Sequence, residues 1–250
     1  MPSPSLVALH GFTGSGYDFA PLWASLGVEG WAPDLPGHGA AAGERPAFDA
    51  LLDGLHAGRG AAAPGPWVLI GYSLGGRLAL HLALRDTADL RALVLIGASP
   101  GLATAQERQA RVVADAALAR HICEIGARRF AAEWAEHPLI ASQRRIPSPW
   151  GAAMARRRVA NDPAGLAWSL QQYGQGALPS LWEALPQLRV PVLLLHGAED
   201  QKFAAIHAQM TARLADARSL AIADAGHAAH LEQPARVADT IERYLSDLGR

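Results

Sequence analysis

The chain has 250 residues, half of them hydrophobic, and a formal net charge of −1, which suits one compact domain with an insertion, or at most two domains. That charge balance, with no basic stripe interleaved with aromatics, argues against a nucleic-acid partner. No apolar run approaches the ~20 residues that span a bilayer, Met1-Pro2-Ser3-Pro4 leads into a strand without a signal-like segment, and the single Cys123 permits no internal disulfide, so the expectation is a cytoplasmic protein without membrane insertion.

In chain order, Leu6 to Leu9 reads as a buried strand ending in the glycine-rich loop His10-Gly11-Phe12-Thr13-Gly14-Ser15-Gly16. A helix is predicted from Asp18, as its cap, to about Leu26. Trp31 to Leu35 reads as a short strand closed by Pro36-Gly37-His38-Gly39, and residues 46–58 as a helix with Leu51, Leu52 and Leu55 on one face. Next come an apolar strand beginning at Val68, a helix from Leu74 to about Leu84, and strands at 93–98, 190–196 and 219–223, the last two each followed by a helical segment. Apolar strands alternating with helices imply a parallel sheet covered on both faces. The predicted fold class is therefore α/β, doubly wound, with about six strands.

Residues 101–178 break the alternation. They offer no convincing strand, and they carry ten arginines against six acids, an excess of +4 inside a chain of net −1. The expectation is a core of residues 1–100 and 179–250 with a helical cap, 101–178, inserted between two strands. Lys202 is the only lysine, the other 21 basic residues being arginine.

Gly71-Tyr72-Ser73-Leu74-Gly75 joins the strand at 68–72 to its helix. In such a nucleophile elbow the serine sits at a strained turn, and strand and helix approach so closely that only glycine fits on either side. A helix N-terminus beside the hydroxyl favours developing negative charge. Helix capping alone is the competing explanation for Ser73, but it accounts neither for the glycines nor for what lies downstream. A serine hydroxyl needs a positioned imidazole, itself oriented by a carboxylate, in the chain order Ser, acid, His. The apolar run 192–195 leads into His196-Gly197-Ala198-Glu199-Asp200, and the strand end at Ala223 into Asp224-Ala225-Gly226-His227. Asp200 is taken as the acid ahead of Glu199, and His227 as the base ahead of His230, for which a surface or supporting role is expected. The backbone N–H groups of Leu74 and Phe12 are the expected oxyanion donors. His10, His38 and His196 read as structural, and no metal-ligand spacing or phosphate loop stands out, so no cofactor is implied.

On these residues the chain resembles the α/β-hydrolase fold through His10-Gly11-Phe12, Leu35-Pro36-Gly37-His38-Gly39 and Gly71-x-Ser73-x-Gly75. More narrowly it resembles the 2-succinyl-6-hydroxy-2,4-cyclohexadiene-1-carboxylate synthases of menaquinone biosynthesis. That likeness rests on Gly71 to Arg77, Ser99-Pro100-Gly101-Leu102 with Glu107-Arg108 and Arg111, Asp200-Gln201-Lys202-Phe203, Ala225 to His230, and Glu232-x-Pro234. The resemblance implies a cofactor-free elimination in which Ser73, made basic by His227, removes a ring proton and pyruvate leaves. It also implies a small polycarboxylate substrate held by Arg77, Arg108, Arg111, Arg158 and Lys202, with Tyr72 and Trp134 as walls; arginine forks bind carboxylates bidentately. Glu107 and Asp115, each four residues from Arg111, are competing partners for it, and the pattern does not choose between Arg157 and Arg158. Two rival functions are a serine carboxylesterase or carbon–carbon bond hydrolase with the same triad, and a non-catalytic binding module. A monomer or homodimer is expected.

Overall fold

The computed structural model describes residues 4–85 and 88–249. Five parallel strands, β1 (Ser5–Leu9), β2 (Trp67–Tyr72), β3 (Leu90–Ile96), β4 (Val192–Gly197) and β5 (Ala217–Ile222), lie side by side in that order. The segment expected as a sixth strand contributes one bridge, Trp31 to Val7, on the free side of β1. Its N–H and carbonyl bond Leu6 and Ala8 at 2.9 Å each. Pro33, two residues on, has no N–H to extend that ladder. Asp34 instead turns inward and accepts from the Gly16 and Ala40 N–H groups at 2.8 and 2.7 Å.

The chain leaves β1 towards Trp31 and then crosses back to β2 on the opposite side, so the direction of winding reverses between β1 and β2. Open α/β sheets bind ligands at the carboxyl ends of the strands where this happens. The loop after β1 and the elbow after β2 both open there. Side chains alternate across the sheet: Val7, Leu9 and Leu69 face one apolar cluster, and Leu6, Ala8, Val68 and Ile70 face another. Helices α2 (Phe48–Ala62), α3 (Leu74–Arg85) and α7 (Gln201–Thr211) cover the first face, and α1 (Ala20–Leu26), α8 (Ala229–Glu232) and α9 (Pro234–Leu248) the second. The helix expected to start at an Asp18 cap is instead a 3₁₀ turn, Gly16–Phe19, leading into α1. Asp18 lies inside the turn, where it accepts from the Ser15 N–H at 3.2 Å and from Arg157 at 2.6 Å.

Between β3 and β4 the chain forms α4 (Ala105–Ala135), a 3₁₀ helix (Ala141–Arg145), α5 (Trp150–Val159) and α6 (Pro163–Tyr173). Gly126 (φ 77°, ψ 163°) bends α4 in the middle, a conformation that glycine tolerates and other residues resist. These helices build a third apolar cluster from Ala119, Ile122, Phe130, Leu166, Ala167 and Leu170, and Phe12 and Trp134 close it towards the sheet.

Candidate active site

Ser73 follows the last residue of β2 and has φ +51°, the left-handed region. L-residues bear that strain only where surrounding structure enforces it, and here the glycines make enforcement possible. A Cβ on Gly75 would lie 2.1 Å from the Leu9 carbonyl oxygen, and one on Gly71 would lie 2.5 Å from the Gly76 Cα. Strand and helix therefore meet backbone to backbone, and the Ser73 hydroxyl projects beyond the sheet.

The His227 Nε2 is 3.1 Å from the Ser73 Oγ, and its Nδ1 is 2.8 Å from the Asp200 Oδ2. Asp200 caps α7, its Oδ1 accepting from the Phe203 N–H at 3.2 Å. Burial pushes its carboxyl up, but the His227 bond and charge and the Phe203 N–H together hold it below the ordinary aspartate range. The imidazole is 2 % exposed and lies between the rings of Phe203 and Tyr72, at 4.6 and 5.3 Å. Glu199, the rival acid, is half-exposed and pairs with Arg145 at 2.7 Å. His230, expected at the surface or in a supporting place, is fully buried between Phe19 and Tyr72, and burial lowers its pKa to about 3.

A cavity of about 120 Å³ lies over Ser73. Phe12 and Leu74 both line it, and among the described residues neither backbone N–H has a protein acceptor. Leu74 opens α3, where helix geometry leaves the first N–H groups free. His10 braces the loop that carries Phe12: its Nε2 accepts from the Leu35 N–H at 2.8 Å, so Nδ1–H donates to the Gly11 carbonyl at 2.9 Å.

Arg77, Arg111, Arg158 and Lys202 line the same cavity, as do Tyr72 and Trp134. Arg77 is 5 % exposed. One of its terminal nitrogens donates to the Tyr173 carbonyl at 2.9 Å, while its Nε has no partner. Burial, with the charge of Arg111 adding to it, lowers its pKa to about 10. Arg158 donates to the Gln143 Oε1 at 2.6 Å, and Gln143 donates in turn to the Tyr72 hydroxyl at 3.2 Å. Burial lowers the Arg158 pKa too. Arg157 points away to Asp18, so of the adjacent pair Arg158 faces the site. Arg111 bonds Asp115 at 2.6 Å and Gln175 at 3.2 Å. Asp115 is buried rather than on a solvated face, and Glu107 is spent capping α4 with Thr104.

Arg108 does not join the others. Its guanidinium folds back onto the Leu102 and Ala103 carbonyls, 3.3 Å from each, and it lies outside the cavity, because it sits on the first turns of α4 near the chain that leads into the helix. Of the two competing partners expected for Arg111, Asp115 is the one it bonds; Gln143 and Gln175 carry no sequence signal, since their importance comes only from the arginines they touch.

The description alpha/beta hydrolase family fits residues 6–240 of the chain. Over 251 residues, 97% of this chain and 94% of the other, it is 34% identical to the 2-succinyl-6-hydroxy-2,4-cyclohexadiene-1-carboxylate synthase of Pectobacterium atrosepticum. It is 38% identical over 180 residues to a Bacillus subtilis (strain 168) relative, a match spanning 72% of this chain and 66% of that protein. The solved structure of MenH from S. aureus superposes with a TM-score of 0.90 at 28% identity, covering 99% of this chain and 95% of that one. The chain belongs to the alpha/beta hydrolase family, in the group of the 2-succinyl-6-hydroxy-2,4-cyclohexadiene-1-carboxylate synthases.

Proposed function

We propose that this enzyme is a carbon–oxygen lyase that eliminates pyruvate from 2-succinyl-5-enolpyruvyl-6-hydroxy-3-cyclohexene-1-carboxylate, leaving 2-succinyl-6-hydroxy-2,4-cyclohexadiene-1-carboxylate. The observation that carries the reading is the lining of cations above a Ser-His-Asp triad: Arg77, Arg111, Arg158 and Lys202 share one cavity with Ser73 and His227. A substrate with three carboxylates must exchange water for paired cations as it enters such a cleft, or desolvation defeats binding. The likeness to the Pectobacterium atrosepticum synthase over nearly the full length of both chains supports the same reaction.

In this reading Ser73 is the base. As its Oγ takes the ring proton next to the succinyl ketone, its own proton passes to the His227 Nε2, and Asp200 stabilises the imidazolium through Nδ1. The electron pair released from the C–H bond moves through the ring double bond and expels the enolpyruvyl oxygen. The leaving group takes up a proton at carbon to become pyruvate. Negative charge that builds on the ketone oxygen meets the Phe12 and Leu74 N–H groups and the N-terminus of α3. Tyr72 and Trp134 wall the ring. The cavity is smaller than the roughly 300–1,000 Å³ common for small-molecule sites, so the helical segment between β3 and β4 acts as a cap that shifts to admit substrate. A free, exposed Cys123 suits a reducing compartment such as the cytoplasm.

The test is to mix the enolpyruvyl substrate with the protein and follow pyruvate by a coupled dehydrogenase and the diene by its ultraviolet absorbance. Equimolar appearance of both supports the proposal. Rapid hydrolysis of a neutral nitrophenyl ester with a burst, and no pyruvate from the carboxylate substrate, would replace it with the hydrolase reading.

A further inference from the structure

We propose that Glu232 is a positioning residue that locks the His227 loop to the helical segment above it, so that the triad is aligned when the 3₁₀ helix Ala141–Arg145 is seated. The proposal rests on the elimination reading for its activity assay. The side chain of Glu232 is 0 % exposed and is bound by four donors. Its Oε2 accepts from the Gly226 N–H at 2.9 Å and from Arg145 at 3.2 Å; its Oε1 accepts from the Ala228 N–H at 3.2 Å and the Ser142 hydroxyl at 2.9 Å. Two of these donors are the backbone groups on either side of His227, and the other two belong to the 3₁₀ helix.

A second observation ties the same helix to the acid. Arg145 also bonds Glu199, the neighbour of Asp200, at 2.7 Å, so one guanidinium bridges the loop of the triad acid and the anchor of the triad base. The helix packs tightly here: a Cβ on Gly226 would lie 2.2 Å from the Ser142 Oγ. A buried carboxylate is held at such a place only while its donors stay in register, because each lost partner leaves uncompensated charge. Moving the helix therefore withdraws two of the four donors and loosens the backbone that aims the imidazole at Ser73. A displacement near 1 Å in such a group is enough to cost about a hundredfold in rate.

Glu232→Gln keeps the shape but puts an NH₂ where one oxygen was. In either orientation that NH₂ faces a backbone N–H, so one of the two bonds flanking His227 is lost. On variants checked for folding by circular dichroism and melting temperature, Glu232→Gln is expected to lower kcat by about 10- to 100-fold with KM within about threefold of the parent. The proton signal of the His227 Nδ1–H, shared with Asp200, should broaden or shift. Arg145→Met should act in the same sense but less, and the double variant should be no worse than Glu232→Gln alone. Unchanged kcat and an unchanged His227 signal in a folded variant would overturn the proposal, as would a rise in KM alone. If Glu232→Gln does not fold, Arg145→Met decides by the same readouts. A parent protein that releases no pyruvate would refute the elimination reading, and the His227 signal would still test this one.

Discussion

Arg77 offers the sharpest test of the cationic cavity, because its burial changes what a lysine can do in its place. The guanidinium is 5 % exposed and its pKa, lowered by burial and then by Arg111, is about 10, so it stays charged at any pH at which the enzyme is assayed. If Arg77 binds a substrate carboxylate as proposed, replacing it by methionine should remove a charge-assisted hydrogen bond worth about 1.5–3 kcal/mol, or roughly 10- to 150-fold in kcat/KM. Arg77→Lys restores a charge but not the fork. It also starts from a lower ordinary value, ~10.4, and the same burial and the charge of Arg111 lower it further. A lysine is cationic below its pKa, so the partial rescue should be present at pH 6.5 and fade as pH rises towards 9.

The assay is kcat/KM for pyruvate release between pH 6.5 and 9, each variant expressed as a ratio to the parent so that the triad's own titration cancels. The Arg77→Lys ratio should fall with pH and approach that of Arg77→Met. Both variants also lose or alter the bond to the Tyr173 carbonyl, so melting temperatures are needed to show that the proteins are folded. A flat Arg77→Lys ratio, or an Arg77→Met enzyme within twofold of the parent, would refute the argument that this buried charge binds substrate.

Replacing Ser73, Asp200 or His227 by alanine should each cost several powers of ten in rate with strongly non-additive combinations; near-full activity in Asp200→Ala, with loss in Glu199→Ala, would reassign the acid. Because Ser73 is proposed as a base, mass spectrometry during turnover should find no covalent adduct on it, and a trapped adduct would favour hydrolysis. Gly75→Ala should fail to fold or lose several kcal/mol in denaturant titration, since its Cβ would meet the Leu9 carbonyl oxygen at 2.1 Å. Burial lowers the pKa of His38 and His230 to about 3, while the unfolded chain protonates near 6.5. Stability should therefore be full above pH 6.5 and fall as pH drops towards 3, by up to about 2 kcal/mol per histidine at pH 5; His230→Leu should reduce that loss in pH-dependent melts.

The elbow and the triad were legible in sequence because their requirements are local. The glycines at 71 and 75 are needed within one strand-helix turn, and the acid and base each follow an apolar run that marks a strand end. The helical segment was legible only as composition. Helical spacing puts Arg108 and Arg111 on one face, but it carries nothing about the Leu102 and Ala103 carbonyls that take Arg108 away. Nor does it separate Arg157 from Arg158, since the choice is made by Asp18 and Gln143, which lie 139 and 15 residues away. Residues 31–35 suit a strand by composition for a similar reason, but Pro33 ends the pairing after one bridge.

The partners of the arginines separate those that face the cavity from those that do not, in the way the proposed binding of carboxylates requires. Arg157, Arg144 and Arg145, which line no part of it, pair with carboxylates: Asp18, Glu136, and Glu199 with Glu232. Arg77 and Arg158, which line it, are held by neutral oxygens, the Tyr173 carbonyl and the Gln143 amide. Both also keep a buried Nε with no partner. A neutral acceptor orients a guanidinium without cancelling its charge, so an incoming carboxylate gains nearly the whole attraction and displaces no competing anion. Arg111 stands between the two groups, sharing its charge with Asp115 while a terminal nitrogen meets Gln175. Its contribution to binding should therefore be smaller than that of Arg77, although both line the same cavity. The cations were desolvated when the chain folded, and that cost falls on the protein's stability rather than on each binding event. A neutral ester entering the same cavity would leave those charges without an anion and gain little from them, so on the proposed elimination reading the lining should select for carboxylate-bearing substrates before the triad acts.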